Sequence, residues 1–402
     1  MISVDEARAN IFQAAKAIGW FEVVDLHKAY NRIAAEDCIA KVDVPPDDNS
    51  AMDGYAVQLP LNAQRLPLSQ TVAAGDAPVP LAKGSAARIF TGAILPEGAN
   101  AVVMQESCEE VDGHVRLVQA PKLAENVRGK GQDIEQGSCV VKKGHLLDAV
   151  SLGVLASCGI DKVTVIDKPR VAIVCTGSEL VDPGKPLKRG QIYSSNPFFL
   201  TALLTEWGCD VTSTTRLPDN LEQTRETLQV LAESVDLILT SGGVSVGDED
   251  HVKAAIDSLG VIDFWKICMK PGKPLALGRI DSSKKSVAVI ALPGNPVSAF
   301  VTATLFAKPF IEGLLGREHQ QLKPLYAPAN FTTKRVRQRP EYIRARLSRA
   351  GIMPFHNQSS GVLTSIQASD ALALIPQGKL IHAGEPIEYF PLHNLTHLKN
   401  NF

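Results

Sequence analysis

The sequence predicts a multidomain α/β protein, in which a doubly wound domain is joined to a β-rich domain, a connector and a small C-terminal β domain. At 402 residues the chain is too long for one ordinary core, and its length alone predicts two to four domains. Short apolar runs separated by Gly, Pro and Asp turns fill residues 43–143. From Pro169 onward, apolar runs alternate with stretches of helical periodicity, which is typical of a parallel sheet with crossover helices.

The first third of the chain is predicted to begin with a helix and to continue with short strands. Ser3 followed by Glu6 forms a capping box ahead of apolar residues at helical spacing. The β-rich segment carries predicted strands such as Ala101–Met104. A second helical stretch at 146–158 is interpreted as a connector that packs with the N-terminal helix.

The remainder of the chain is predicted to hold the doubly wound domain and then a β domain. The predicted strands of the first are 171–175, 210–215, 235–240, 275–280 and 286–292, and its predicted helices are 198–207, 221–232, 251–259 and one that begins at Pro296. Beyond residue 323, short alternating runs at 342–347 and 371–375 predict a small β domain. The tail from about His393 is expected to be loose.

Bulk composition points to no particular partner. The 41 basic residues nearly balance the 43 acidic ones, so no electrostatic footprint for nucleic acid or a membrane surface is expected. The seven cysteines form no CxxC pair, which argues against a zinc ribbon and a disulfide framework. The N-terminus lacks the features of a secretory signal, and no run of about 18 apolar residues occurs. These observations predict a cytoplasmic protein.

Three loops that follow predicted strands carry the candidate chemistry, because ligands of open α/β sheets bind beyond the carboxyl ends of the strands. The first loop, at 176–180, contains Glu179. The second, at 240–250, carries glycines whose backbone N–H groups can approach an oxyanion, and serines that can donate hydroxyls. Its candidate phosphate contacts are Ser241, Gly242, Gly243, Ser245 and Gly247. The third, at 292–296, starts a helix with Asn295 as its N-cap and Pro296 in its first turn.

The second loop matches the glycine spacing of a P-loop but lacks its catalytic residues. Asp248 and Glu249 stand where that motif requires Lys and Ser or Thr, so nucleotide hydrolysis of the P-loop kind is disfavoured. A tight strand-to-helix turn without a ligand is the alternative interpretation of this loop.

Charged residues near these loops complete the predicted site. Lysines at 266, 270 and 273 flank a Pro-Gly turn and are candidates for gripping phosphate, with solvated surface lysines as the alternative. Glu179, Asp219 and Asp250 lie at or just beyond strand ends, and hard carboxylate oxygens beside phosphate suit Mg²⁺. Asp219 and Asp250 could equally be helix N-caps.

Eight motifs, in this order along the chain, resemble the MoeA family of molybdopterin molybdenumtransferases, which includes the gephyrin E domain. They are DNSAMDGYAV, FTGAILPEGANAVVMQE, NVRGKGQDI, TGSELV, QIYSSN, SGGVSVGDED, MKPGKP and LPGNPVS. The resemblance implies an elongated homodimer of four-domain subunits. The implied domains are a dimerisation connector at 1–42 and 144–168, a β-rich domain at 43–143, a MogA-like α/β domain at 169–322 and a C-terminal β barrel at 323–402.

The resemblance also implies a reaction and its partners. Adenylylated molybdopterin is cleaved at its phosphoanhydride, molybdate enters the dithiolene and AMP leaves, with a divalent cation such as Mg²⁺ assisting. A MogA-like adenylyltransferase and molybdoenzyme apoproteins are the implied protein partners. Two other functions stay open at this point. One is a molybdopterin-binding scaffold or storage protein, and the other is a molybdopterin adenylyltransferase.

Site residues follow from the same resemblance, motif by motif. Four residues of the β-rich domain would face the partner subunit's α/β domain, and these are Asp53, Thr91, Arg128 and Asp133. Opposite them would stand Glu179, Asp219, Asp250, Lys266 and Lys270. The metal would be held by Asp53, Glu179, Asp219 and Asp250. The pterin pocket would be shaped by Pro293 and Pro296, with Gly294 and Asn295 of the same loop as further substrate contacts. The oxyanion would contact Ser360 together with Arg339 or Arg344.

Three positions depart from the family's usual pattern. Gln132, Ser178 and Ser194 stand where the motifs usually carry an acidic residue. Fewer carboxylates would weaken metal binding, but Asp133 and Glu179 are retained, so activity is predicted to persist with an altered metal preference. Molybdate and tungstate are so alike in size and charge that the sequence does not choose between them.

Overall fold

The structure, a computed structural model, describes residues 1–243, 251–272 and 274–400. The predicted site residues Ser245, Gly247 and Asp250 lie outside these ranges, as does Lys273.

The chain opens with helix α1 (Val4–Ala14), which begins as the capping box predicts. Ser3 Oγ accepts the backbone amide of Glu6 at 3.1 Å. The apolar face of α1 packs into the core of the later α/β domain, where Ile11 lies in one cluster with Phe310. Strands β1 (Phe21–Asp25) and β2 (Cys38–Ile39) follow.

A mixed β-rich region comes next, as the turn pattern predicts. Its strands are β3 (Asn49–Ser50), β4 (Gly54–Val57), β5 (Arg65–Val72), β6 (Ala86–Ile89), β7 (Ala101–Met104), β8 (Cys108–Val111), β9 (His114–Leu117), β10 (Val127–Arg128) and β11 (Cys139–Val141). Six of them form one sheet in the order β7-β4-β6-β5-β9-β8. Strand β10 pairs with β3, and β11 pairs with β2.

The connector is built from both sides of the β-rich region. Helix α2 (Ala149–Ser157) and strand β12 (Lys162–Ile166) follow β11, and β12 pairs antiparallel with β1. Helix α2 contacts β11, and its Leu155 lies in a small core with Val163 and Cys38. The N-terminal helix thus packs mainly on the α/β domain, whereas α2 packs within the connector.

The α/β domain contains a six-stranded sheet with helices on both faces. Its elements are β13 (Arg170–Thr176), β14 (Leu180–Val181), β15 (Ile192–Tyr193), α3 (Asn196–Glu206), β16 (Asp210–Leu217), α4 (Leu221–Ala232), β17 (Leu237–Ser241), α5 (His251–Leu259), β18 (Gly260–Lys266), β19 (Pro274–Asp281), β20 (Ser286–Leu292), α6 (Pro296–Thr302) and α7 (Lys308–Leu314). The strand order is β16-β13-β17-β20-β19-β18.

Side chains of the central strands alternate between two cores, which confirms the doubly wound class. Ile173 packs in one core with Leu200 of α3, whereas the adjacent Val174 packs in the other with Leu228 of α4 and Ile256 of α5. One part of the prediction is wrong: β19 runs antiparallel to both of its neighbours, β18 and β20, because short connections rather than helices join it to them.

A stretch from Pro296 to Leu314 is long and apolar enough to cross a membrane by length and composition alone. Its most apolar window is 94% buried inside the protein. It comprises α6, a π-helical turn at Ala303–Ala307 and α7, and it is the central helix of the larger core. Its apolar character is therefore explained by burial within the fold.

The C-terminal domain is an antiparallel five-stranded sheet whose outer strands approach each other, as expected for a small barrel. Its elements are β21 (Leu325–Pro328), β22 (Glu341–Ser348), β23 (Gly351–Pro354), α8 (Thr364–Gln367), β24 (Ala371–Ile375), β25 (Pro386–Pro391) and α9 (Leu392–Thr396). The strand order is β21-β25-β24-β22-β23. A bridge between Ala329 and Ile352 links the two edges.

The expectation of a loose tail is wrong. Trp207 Nε1 donates to the carbonyl of Thr396 at 2.8 Å, and Lys308 Nζ donates to the carbonyl of His397 at 2.6 Å. The side chain of Asn400 accepts from the Leu146 amide at 2.7 Å. The tail therefore fastens the last domain to the α/β domain and to the connector, through partners that are distant in sequence.

Replacing Gly351 with alanine is expected to destabilise the barrel by about 3 kcal/mol, because overpacked sites cannot absorb an added methyl group. A Cβ atom at Gly351 would lie 2.1 Å from Pro328 O, and its φ of +110° also disfavours side chains. Thermal unfolding measures the effect. Gly153→Ala in α2 is the matched control, since its Cβ would meet no atom within 4 Å. An unchanged unfolding temperature for Gly351→Ala would contradict the tight edge contact.

Candidate functional site

A cavity of about 830 Å³ lies at the carboxyl ends of the parallel strands. The loops after β13, β17 and β20 all line it, together with the segment from β15 into α3. The described predicted residues that reach it are Glu179, Asp219, Ser241, Gly242, Gly243, Pro293, Gly294, Asn295 and Pro296. The rule that ligands of open α/β sheets bind beyond the carboxyl ends of the strands therefore identified nine residues that line this one cavity.

The floor of the cavity is formed by loops that approach too closely for side chains. A Cβ atom at Gly242 would lie 2.7 Å from Thr176 O, and one at Gly243 would lie 2.4 Å from Val252 Cγ2. Both glycines have positive φ, of +104° and +67°. The Gly242 amide donates to Leu292 O at 3.1 Å, so it is not the phosphate donor that the sequence suggests. Glycine is required at position 242 because a side chain there would collide with Thr176.

Asn196 holds two of the loops together and was missed as a site residue by sequence reasoning. Its Nδ2 donates to Ser241 Oγ at 2.8 Å and to Gly294 O at 2.7 Å. Ser241 Oγ in turn donates to Pro293 O at 3.3 Å. The available signal in the sequence is the pair Asn196 and Pro197, which has the same form as Asn295 and Pro296 and is also typical of a helix start.

Thr176 is a second residue that sequence reasoning missed. It ends β13 and lines the cavity, and its Oγ1 is buried with no hydrogen-bond partner among the described residues. A buried hydroxyl without a partner is costly, so it marks a position where a bound polar group would be stabilised.

Two carboxylates, Glu179 and Asp219, line the cavity on the side of β13. Asp219 Oδ2 accepts the amide of Ser178 at 2.9 Å, and the Asp219 amide donates to Ser178 Oγ at 3.2 Å. Ser178, one of the departures from the family pattern, therefore orients Asp219 and adds no charge. Its neighbour Glu179 is exposed.

These two carboxylates fit a magnesium ion shared with a substrate. Within residues 1–243, 251–272 and 274–400, no group of three or more His, Cys, Asp or Glu side chains is arranged to hold a metal. Magnesium is commonly held by one or two carboxylates plus water and phosphate oxygens, so it needs no such cluster. Glu179 and Asp219 are two carboxylates that line one cavity, which is the kind of ligand set that such a site uses.

The predicted cations Lys266, Lys270 and Arg339 contact other parts of the protein or the solvent. Lys270 Nζ pairs with Glu341 Oε1 at 2.8 Å, and Glu341 is buried in the barrel. Lys266, at the end of β18, is exposed. Arg339 Nη1 donates to Met269 O at 3.0 Å. None of these three cations is among the described residues that line the cavity.

The barrel reaches the cavity through one loop. Ser360 O accepts the amide of Val297 at 3.0 Å, and the next residue, Gly361, lines the cavity. Arg344 lies elsewhere: it is only 1% exposed, and its Nε donates to Ser365 Oγ at 3.0 Å. This placement gives Arg344 a structural role inside the barrel, so Arg339 and Ser360 are the better-placed oxyanion candidates.

The four candidates of the β-rich region belong to a separate group of loops. Asp53 Oδ1 accepts the amide of Thr91 at 2.8 Å and its hydroxyl at 2.9 Å. The hydrogen bond from the Thr91 backbone amide is the main cause that holds the pKa of the Asp53 carboxyl below its ordinary value. The carboxylate is therefore charged at neutral pH. Arg128 pairs with Asn49 in the adjoining strands, and Asp133 is exposed nearby in sequence.

Gln132, another departure from the family pattern, caps the turn that precedes Asp133. Its Oε1 accepts the amide of Gly129 at 3.1 Å. None of Asp53, Thr91, Arg128 and Asp133 is among the described residues that line the cavity of the same chain. The structure therefore separates the four candidates of the β-rich region from the nine predicted residues that line the cavity.

Three parts of the chain match regions of one protein family. Residues 2–159 match the MoeA N-terminal region (domain I and II), residues 172–313 match a "Probable molybdopterin binding domain", and residues 326–392 match the MoeA C-terminal region (domain IV). The chain is 36% identical to the molybdopterin molybdenumtransferase of Haemophilus influenzae, over 98% of this chain and 100% of that protein. The chain belongs to the MoeA family.

Other proteins of the MoeA family agree with this assignment. The molybdopterin molybdenumtransferase of Nostoc sp. is 35% identical, over 91% of this chain and 87% of that protein. The solved molybdopterin biosynthesis MoeA protein of Pyrococcus horikoshii OT3 is 27% identical and superposes with a TM-score of 0.83, covering 97% of this chain and 99% of that one. The resemblance carried by the eight motifs and the multidomain fold are confirmed. The domain boundaries predicted from the sequence stay predictions.

Proposed function

We infer that this MoeA-family protein is a molybdopterin molybdenumtransferase, an enzyme of molybdenum cofactor biosynthesis that inserts molybdenum into molybdopterin. The observation that carries the inference is the cavity at the strand ends, in a chain that matches a molybdopterin molybdenumtransferase over nearly its whole length. Its substrates are adenylylated molybdopterin and molybdate, and AMP is a product. Tungstate would fit the same oxyanion position.

The residues of the cavity can each be given a part in cleaving the phosphoanhydride. Gly243 lets the substrate's phosphates approach the backbone, Gly242 allows the loops after β13 and β17 to pack closely, and Asn196 joins the loops after β17 and β20. Glu179 and Asp219 would hold Mg²⁺, which supplies charge neutralisation for the phosphates when bound. The buried hydroxyl of Thr176 is placed to bond a polar group of the ligand.

A separate set of groups would receive the oxyanion. Carboxylates repel molybdate, so its contacts are assigned to Arg339 and Ser360 at the edge of the barrel. Lys266 and Lys270, which precede the turn at Pro271 and Gly272, are both exposed and add positive charge. The ion pair with Glu341 holds Lys270 in place beside this position.

A homodimer would bring the two groups of predicted residues together. The four β-rich candidates do not line the cavity of their own chain, whereas the family resemblance places them opposite the partner's cavity. Exposed apolar side chains offer a surface for such pairing: Phe21 and Val23 lie on one face of β1, and Phe198 lies in the first turn of α3. A hydrogen bond joins the segment after β1 to the end of α3, since Asn31 Nδ2 donates to Glu206 O at 3.0 Å.

A cytoplasmic location fits the same account. All seven cysteines are free, as expected in a reducing compartment. The implied protein partners, a MogA-like adenylyltransferase and molybdoenzyme apoproteins, would supply the substrate and receive the cofactor.

Release of AMP from adenylylated molybdopterin tests the proposed activity. Purified protein with molybdate and Mg²⁺ is expected to release AMP and to form molybdenum-loaded cofactor in equal amounts. Tight binding of the pterin without AMP would instead indicate a storage or scaffold protein. Consumption of ATP with unadenylylated molybdopterin would indicate an adenylyltransferase.

Mixing two impaired variants tests whether the site is shared between subunits. Asp53→Ala and Glu179→Ala are each expected to keep less than about a tenth of wild-type activity. Refolded or co-expressed mixtures are expected to reach about a quarter, because half the dimers are mixed and each of these has one intact site. No recovery in mixtures, with mixed dimers shown by mass spectrometry, would place the whole site within one chain. Two copies of Glu179→Ala form the control, since they cannot complement each other.

A further inference from the structure

We propose that Tyr193 is a platform on which a planar heterocycle of the substrate stacks, so that it helps to determine which phosphorylated ligand the cavity accepts. The proposal rests on the proposed function, in which the ligand carries two heterocycles, adenine and a pterin. It adds a residue that neither the motif resemblance nor the glycine loops assign.

The ring of Tyr193 is unusual for its position. It is the one aromatic residue among the described residues that line the cavity, and it is 46% exposed. Ile192 beside it is also exposed and also lines the cavity. Large apolar surface exposed in a cavity is hydrated at a cost, and a bound aromatic ligand would remove that cost.

The ring is also held at both ends before any ligand arrives. The backbone of Tyr193 pairs with Val181 in the short parallel ladder of β14 and β15. At the far end of the side chain, Oη donates to Lys185 O at 2.9 Å. A ring fixed in this way loses little conformational entropy when a ligand stacks on it.

The platform stands next to the groups assigned to the phosphates. The Ile192 amide donates to Glu179 O at 2.9 Å, so the strand that carries Tyr193 is bonded to the residue that carries one of the two carboxylates. A heterocycle on the ring would therefore have its attached phosphate directed towards Glu179 and the glycine loops. Binding of a heterocycle and a phosphate in one orientation follows from this arrangement.

The test compares ligands with and without a heterocycle. Dissociation constants of AMP and ribose 5-phosphate are measured for the wild type, Tyr193→Ala and Tyr193→Phe. Stacking of a base on an aromatic side chain is worth about 1–3 kcal/mol, so Tyr193→Ala is expected to weaken AMP binding about tenfold and to leave ribose 5-phosphate within about twofold. Tyr193→Phe keeps the ring and is expected to retain most of the AMP affinity.

A control and a second arm make the test decisive. Tyr326→Ala removes another exposed tyrosine whose hydroxyl is bonded, to Glu388 at 3.2 Å, and is expected to leave all affinities unchanged. Molybdopterin without AMP distinguishes the two heterocycles: if Tyr193→Ala weakens only its binding, the pterin rather than adenine stacks on the ring. Unchanged binding of both AMP and molybdopterin by folded Tyr193→Ala would overturn the proposal.

Failure of the stacking and failure of the proposed function are distinguishable. A wild-type protein that binds AMP in a Tyr193-dependent manner but releases none from adenylylated molybdopterin contradicts the insertase activity and supports the platform. Normal AMP release together with ligand affinities that do not depend on Tyr193 supports the insertase activity and contradicts the platform.

Discussion

Glu179→Ala is expected to lower AMP release from adenylylated molybdopterin by more than about tenfold, because it removes one of two carboxylates assigned to the divalent cation. Glu179 lines the cavity, and its partner Asp219 is already oriented by two hydrogen bonds with Ser178. With only one carboxylate left, the phosphoanhydride loses much of the charge neutralisation that its cleavage requires. Initial rates at saturating substrate measure the effect.

Two comparisons separate this effect from a general loss of structure. Glu179→Gln keeps the shape of the side chain but not its charge, and is expected to need a higher Mg²⁺ concentration for half-maximal rate. Glu226→Ala, which removes an exposed carboxylate on α4, is expected to behave as wild type. EDTA is expected to abolish AMP release in the wild type, and added Mg²⁺ to restore it. Full activity of both Glu179 variants would remove the metal assignment.

Gly242→Ala is expected to weaken AMP binding by more than about tenfold and to lower the unfolding temperature by several degrees, because a left-handed residue with a side chain is strained by about 1–2 kcal/mol and here also collides. The added Cβ would lie 2.7 Å from Thr176 O and 2.9 Å from Thr176 Oγ1. Relief of the collision must move the loop after β17 away from the loop after β13. Calorimetric titration with AMP and thermal unfolding measure the two effects.

The matched control for Gly242→Ala is Gly84→Ala in the β-rich region. Gly84 also has a positive φ, of +75°, but its Cβ would meet no atom within 4 Å. It therefore carries the backbone strain without the collision and lies outside the cavity lining. Equal effects of the two substitutions on AMP binding would show that the close approach at Gly242 has no part in forming the site.

Local signals in the sequence were sufficient for many elements of the α/β domain. Helix α4, helix α5 and strand β20 have the same bounds in the structure as in the prediction, and Asn220 caps α4 through a hydrogen bond to the Gln223 amide at 2.9 Å. The apolar periodicity and the capping residues that define these elements are local signals, because they involve residues close together in the chain. The reversed direction of β19 depended instead on the short connections on either side of it, which apolar runs do not encode.

The part of the candidate site that lies in the loops after the parallel strands was predictable from the sequence. Because carboxyl ends of parallel strands share one edge, Glu179, Ser241 and Asn295 could be placed around one cavity from strand order alone. The clamp by Asn196 could not, since its acceptors lie 45 and 98 positions away in the chain. The pairing of Lys270 with buried Glu341 was equally hidden, because it joins two domains.

A crystal structure of the protein with AMP and molybdate bound tests the central claim most directly. AMP is expected in the cavity at the ends of β13, β17 and β20, with its phosphate near Gly243, Glu179 and Asp219. The oxyanion is expected near Arg339 and Ser360. AMP found at the opposite edge of the sheet, or a phosphate away from both carboxylates with the protein active in the crystal, would contradict the claim.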